Sequence, residues 1–145
     1  MKILQTLLIA AILNFTPHAI SDEPKQPAAA KVSPVKDVTP DEAAALMKDK
    51  PGVLVLDVRT PDEFADGHIA GAKNLDFLGD DFEKGLAALP TDRPVIVHCA
   101  AGNRSSKVVA KIEALKLPVQ ILHMKAGFNG WKAAGKPVEM TAARK

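Results

Sequence analysis

The sequence predicts an α/β fold with a largely parallel central sheet, and three observations carry that expectation. The runs "VLVLDV" (Val53 to Val58) and "VIV" (Val95 to Val97) show no polar alternation before Asp57, as in strands covered on both faces. Segments with apolar residues at helical spacing lie between such runs. The tetrapeptide "TPDE" occurs twice, as Thr39 to Glu42 and Thr60 to Glu63, each with a hydroxyl at the N-cap, proline at N1 and glutamate at N3 of a helix. Strands alternating with helices fit a layered α/β architecture whose ligands bind beyond the carboxyl ends of the strands.

The elements run in order along the chain. After the first TPDE, "EAAALMKDK" forms a short helix; the flanks of the two tetrapeptides do not match, so they are independent helix starts rather than a duplicated unit. The strand Val53 to Val58 comes next, then a second short helix, then a turn and short strand in "GHIAGAKNL". In "DDFEKGLAAL", Phe82, Leu86 and Leu89 share one helical face and Asp80 precedes Glu83 as a cap. The "VIV" strand leads through a cysteine loop into "SSKVVAKIEALK", where Val108, Val109, Ile112 and Leu115 form an apolar stripe. "VQIL" is a last strand, and "GFNGWKAAG" a last turn or two of helix ending near Gly135 and Pro137.

The 145 residues are 47% hydrophobic and 25% charged, the size and composition of one globular domain with an extension. The extension is N-terminal. Met1 and Lys2 precede the apolar run Ile3 to Phe15, and Ala19 and Ser21 supply small residues, the pattern of an export signal over residues 1–21 cut after Ser21. The run is short of the roughly 20 residues of a membrane span and holds Gln5 and Asn14, and no cysteine near the cut would take a lipid. Residues 22–37, rich in Pro, Ala and Lys, read as a flexible leader, 38–138 as the domain, and 139–145 as a tail. The expected location is the bacterial periplasm, with no membrane attachment after cleavage. Removing Lys2 and no acid takes the formal charge from +2 to +1, without the clustered basic face of a nucleic-acid binder. The four histidines, one of them in the signal, lack metal-site spacing, and neither metal nor organic cofactor is expected.

The single cysteine stands in "VIVHCAAGNRSSK". It cannot form an intramolecular disulfide, so in an exported chain it is either a reactive group or a small buried hydrophobe. Its setting favours reactivity. Successive backbone amides running into a helix N-terminus attract negative charge and would hold Cys99 as thiolate, the nucleophilic form. Gly102 suits a tight curl or positive φ, Ala100 and Ala101 leave space above the sulfur, and Arg104 can turn to a bound oxyanion. Tyrosine phosphatases also join cysteine to arginine through such a loop, but with five residues between. Here there are four, Ala100, Ala101, Gly102 and Asn103, a tighter cradle with less room for a tetrahedral phosphate and its leaving group.

Three blocks in order, "LDVRTPDEFADGHIAGAKNL", "VIVHCAAGNRS" and "KAGFNGW", make the chain resemble a single-domain rhodanese, a thiosulfate-type sulfurtransferase, from about Val38 to Val138. The resemblance implies a three-layer fold on a five-stranded, mostly parallel sheet, with Cys99 cycling between thiolate and persulfide. It implies a small sulfur-containing anion or a persulfide as donor and a thiol or cyanide as acceptor; export, rather than the resemblance, raises a redox partner protein as the means of keeping the thiol reduced. The amides from Ala100 to Arg104 would cradle the persulfide, and Arg104 would meet the donor's sulfonate. Asp57 and Arg59 at the mouth, together with Ser105, which follows Arg104 in the chain, are read as supporting residues, with Arg59 pairing Glu63 and Asp57 accepting loop amides. The competing readings are a non-catalytic sulfur carrier or binding module and, less favoured by the spacing, a cysteine phosphatase.

His98 precedes the nucleophile, but strand neighbours point to opposite faces, so it should not touch the sulfur. His68 is read as a turn or core residue, and Phe128 and Trp131 as packing. The "NRS" sequon at Asn103 lies inside the loop and is discounted.

Overall fold

The computed structural model describes residues 35–141. The expected signal and most of the leader lie outside them, as do the last four residues. The described chain runs β1 (Lys36–Asp37), α1 (Pro40–Asp49), β2 (Leu54–Asp57), α2 (Pro61–Ala65), β3 (His68–Ile69), β4 (Lys73–Asn74), α3 (Phe82–Ala87), β5 (Val95–His98), α4 (Asn103–Ala114), β6 (Ile121–His123), α5 (Gly127–Ala133) and β7 (Val138–Glu139). Five strands form an all-parallel sheet in the order β1-β6-β5-β2-β4, as the α/β reading expects. From β2 the chain moves outward to β4, and from β5 it moves the other way to β6. The crevice at the carboxyl ends of β2 and β5 is therefore the point where strand order reverses, the usual ligand position in open α/β sheets.

Alternation along each strand sorts side chains between two apolar layers. Leu56, Val58, Val95, Val97 and Cys99 face Phe82, Leu86, Val108 and Ile112 of α3 and α4. Val55, Ile96 and Leu122 face Ala43, Phe128 and Trp131 of α1 and α5. The β5 residues Val95, Ile96 and Val97 are each 0% exposed, and each such burial contributes about 1.5–3 kcal/mol. That makes β5 a stiff mount for the loop at its carboxyl end.

Both TPDE segments start helices through complete capping boxes: Thr39 and Thr60 accept from the amides of Glu42 and Glu63, whose carboxylates accept from the threonine amides. The third helix differs from expectation. It starts at Phe82 after Asp81, with no side-chain cap. Asp81 has φ −87° and ψ 7°, outside the extended geometry a capping side chain needs, and the turn is closed instead by the Phe82 amide on the Gly79 carbonyl. The fourth helix begins at Asn103, two residues before the expected "SSKVVAKIEALK", so Arg104 lies in its first turn. The strand expected at "VQIL" is shifted along the chain to Ile121–His123.

Two short strands had no signal in the sequence. Lys36 and Asp37, at the end of the expected leader, pair with Leu122 and His123 as an edge strand. Val138 and Glu139 pair antiparallel with Ile69 and His68, and the Trp131 indole donates to Pro137 O at 2.8 Å. The sheet thus starts inside the segment read as leader, and the start of the tail is tied back over α5. Neither two-residue strand has an apolar pattern of its own; each forms because a partner strand offers free backbone groups.

Candidate active site

Strand β5 delivers His98 into register with Asp57 of β2, and Cys99 comes next on the α3/α4 side of the sheet. The chain then turns at Gly102, which has φ 92° and is the N-cap of α4. A Cβ there would sit 2.6 Å from the Lys125 carbonyl oxygen, so both conformation and space demand glycine. The turn aims the Gly102 amide at the Cys99 sulfur, N to Sγ 3.2 Å, and brings the Ser105 hydroxyl to 3.5 Å from the same atom.

The opposite side of the loop explains the third sequence block. The Cys99 carbonyl accepts from the Phe128 amide at 2.7 Å, and the Ala100 carbonyl from the Asn129 amide at 3.0 Å. Gly127, at φ 62°, allows that approach, because a Cβ would press into the carbonyls of Cys99 and Ala100. With the loop's carbonyls held outward by α5, its amides are left facing the sulfur. Burial pushes the Cys99 thiol up, but hydrogen bonds from the Ser105 amide and hydroxyl and from the Ala101 and Gly102 amides outweigh it and leave the thiol below its ordinary range. The partial positive end of the 12-residue α4 acts in the same sense. The result is a thiol at the floor of an amide-lined turn, disposed to ionise and to hold a second negative atom.

Arg104 does not stand free at the mouth. Its guanidinium makes a two-point bond to Glu63, Nη1 to Oε2 2.6 Å and Nη2 to Oε1 2.8 Å. Both side chains are partly exposed. This bond first, helped by hydrogen bonds from Thr60, holds the Glu63 carboxyl down at about 2. Because that value is depressed, the pair is intact above the ordinary carboxylate range and is lost only as pH falls toward 2. Mild acid does not release Arg104.

Two expected pairings are corrected. Asp57 does not serve the loop amides among its described bonds; it accepts from the amide, Nε and Nη2 of Arg59, the last at 2.6 Å. Arg59 meets the backbone of Glu63 rather than its carboxylate, donating to Glu63 O at 3.0 Å and Gly67 O at 2.7 Å, while its guanidinium carbon stacks 4.1 Å from the Phe128 ring centroid. Asp57 is 0% and Arg59 4% exposed. Together they join the first sequence block to the third beneath the loop, and neither reaches the sulfur. Asn74 completes the brace by donating to the carbonyls of Asp57 and Arg59.

His98 lies on the other side of the sheet from the sulfur, as expected. Burial holds it below its ordinary value and therefore neutral. Its Nδ1 is 3.2 Å from the Cys99 carbonyl, which can only accept, so the proton belongs on Nδ1 and the ring helps hold the loop. His68 stacks on Phe64 and meets the Phe64 carbonyl, and Phe128 and Trp131 are buried; all three are packing residues. Asn103 and Ala101 are exposed on the loop and Ala100 is half-buried.

Sequence reasoning missed one pairing and one member of the site. Glu63 was legible as a helix cap, but its second role depends on Arg104, 41 residues away. His123, 2% exposed, lies at the end of β6 with Nε2 at 2.9 Å from Ser105 Oγ; it comes after an apolar run with no motif around it.

The chain is similar to known proteins over most of its length. The profile of the Rhodanese-like domain family matches residues 39–134. The thiosulfate sulfurtransferase GlpE of Pseudomonas putida strain F1 is 34% identical over 103 residues, covering 70% of this chain and 89% of the relative. The enzyme of the same name from Ectopseudomonas mendocina is 30% identical over 102 residues, with the same coverage. Among solved structures, a rhodanese-like domain protein from Staphylococcus aureus superposes with a TM-score of 0.61 at 29% identity, covering 72% of this chain and 97% of that one.

Proposed function

The chain belongs to the rhodanese-like domain family, a sulfurtransferase family by its curated relatives, and on that premise we propose that it moves a sulfane sulfur as a persulfide on Cys99. The observation that carries this reading is the Cys99 sulfur held by an inward amide and the Ser105 hydroxyl at a strand end. In the first step the Cys99 thiolate attacks the outer sulfur of a donor such as thiosulfate. The sulfur–sulfur bond of the donor breaks, sulfite leaves with the electron pair, and Cys99 carries the new terminal sulfur. Amides from Ala100 to Arg104 stabilise its negative charge. In the second step a thiolate or cyanide acceptor attacks that sulfur, and Cys99 departs as thiolate. The proposed setting is the periplasm, on the strength of the export-signal pattern in residues 1–21, with a redox partner to keep the thiol reduced.

The test is intact-mass measurement. Incubation with thiosulfate or a low-molecular-weight persulfide should add one sulfur atom to the protein, and cyanide should remove it. An unchanged mass with both donors would overturn the reading. A persulfide that forms only from a partner protein would support the carrier module instead.

The Arg104–Glu63 bond favours a persulfide over thiosulfate as the natural donor, since the loop's arginine is already neutralised. Glu63→Gln is expected to free the guanidinium and lower KM for the thiosulfate dianion by roughly fivefold, about 1 kcal/mol, with little change for a persulfide donor. Steady-state kinetics with the two donors checks it; equal KM values for thiosulfate before and after substitution would show that Arg104 does not meet the donor.

A further inference from the structure

The polar chain that begins at the Cys99 sulfur does not end at Ser105. The Ser105 hydroxyl is 3.5 Å from Cys99 Sγ, 3.0 Å from the Gly102 carbonyl and 2.9 Å from His123 Nε2. His123 Nδ1 faces Asp37 Oδ1 of β1 at 3.6 Å, and Lys125 Nζ holds Asp37 Oδ2 at 2.7 Å. Ser105 is 0% and His123 2% exposed, whereas the Asp37 side chain is 56% exposed. Beyond the ring lies a shallow cavity of about 320 Å³ whose walls include Val35, Asp37, Ser106, Glu113, His123 and Lys125. One file of side chains thus connects a buried sulfur to the surface.

Packing alone does not call for this file. Two residues before His123 on β6, Ile121 faces the same layer and is apolar, and burying an imidazole costs free energy that an aliphatic residue would not. We propose that His123 is a positioning residue for sulfur transfer, accepting through Ser105 the proton that Cys99 must lose.

The proposal rests on Cys99 being the nucleophile. The step balances as a double proton shift. The thiol proton passes from Sγ to Ser105 Oγ as the hydroxyl proton passes from Oγ to His123 Nε2. This leaves a thiolate, an intact hydroxyl and an imidazolium, with no electron transferred. Before the shift, the Asp37 carboxylate favours the tautomer with the proton on Nδ1, so Nε2 is free to accept. After it, the imidazolium donates to Ser105 Oγ from Nε2, Ser105 donates to the thiolate, and Asp37 faces the new positive charge. Burial holds His123 below its ordinary value, with Asp37 opposing and Lys125 assisting, so the ring starts neutral and can receive the proton. Without His123, the hydroxyl has the Gly102 carbonyl as its remaining acceptor and turns from the sulfur.

The test reads thiol ionisation rather than sulfur transfer. The rate of Cys99 alkylation by iodoacetamide is measured across pH for the full chain, with thermal unfolding alongside. His123→Phe and His123→Gln are both expected to slow alkylation at pH 7 by about tenfold and to leave the plateau at high pH unchanged. Asp37→Asn, on an exposed side chain that should not threaten folding, is expected to slow it about threefold in the same direction. A wild-type pH profile in Asp37→Asn and in either folded His123 variant would overturn the proposal. So would full rescue by glutamine alone, because an amide can hold Ser105 but cannot take a proton. Since alkylation needs no sulfur donor, a shifted profile in a protein that takes up no sulfur would leave the relay standing while the sulfurtransferase reading failed.

Discussion

Cys99→Ser is expected to lower transfer of sulfur from thiosulfate to cyanide by at least about 10³-fold, as befits loss of the covalent nucleophile. The reason is chemical rather than steric. A serine hydroxyl is not ionised at neutral pH even among inward amides, it attacks sulfur poorly, and it cannot be displaced as a thiolate in the second step. The fold should be indifferent. Serine is close to cysteine in size, and its oxygen can accept the Gly102 amide that now meets the sulfur at 3.2 Å, so stability should stay within about 1 kcal/mol. Thiocyanate formation and intact mass measure the first claim, and thermal unfolding the second. Persistent sulfur loading of the serine variant would remove Cys99 from its proposed role, and loss of folding would mean that the amide cradle depends on the sulfur.

The largest stability effect is expected from Arg59→Leu. Asp57 is 0% exposed, and among its described partners the Arg59 guanidinium is the one cation bonded to it, at 2.6 Å. Removing that partner strands a carboxylate between strand ends and frees the Glu63 and Gly67 carbonyls that Arg59 now meets. Breaking one side of a buried pair in this way costs about 3–5 kcal/mol. The effect should reach the site, because Arg59 also anchors the backbone of Glu63, whose carboxylate holds Arg104. Urea denaturation gives the stability change. The double variant Asp57→Asn, Arg59→Leu should recover part of it, since the stranded charge is gone. A loss below about 1 kcal/mol in the single variant would show that water reaches Asp57 and that the pair is not the brace inferred for it.

What could be read from the sequence is whatever rests on neighbours. The two capping boxes each join residues three apart, the covered strands are continuous runs, and the loop from Cys99 to Arg104 lies within one segment. Local rules of backbone and periodicity reach that far, and they were enough to expect an α/β sheet with Cys99 at a strand's carboxyl end. The order of three blocks then pointed to the family.

The partners inside the site obey a different rule. Glu63 and Arg104 are 41 residues apart, Ser105 and His123 18, and Asp37 and Lys125 88. They meet because parallel register sets Asp57 beside His98 and Asp37 beside His123, and register is a property of paired strands that neither strand encodes alone. The same holds for β1 and β7, two-residue strands with no apolar pattern, and for Gly127, whose need for glycine appears only when α5 meets the loop carbonyls. Sequence by itself determined that this protein has a cysteine loop at the carboxyl end of a strand in an α/β sheet. Tertiary structure decided that its arginine is already paired and that its sulfur is wired to a buried histidine, because those choices depend on which strand ends the sheet brings together.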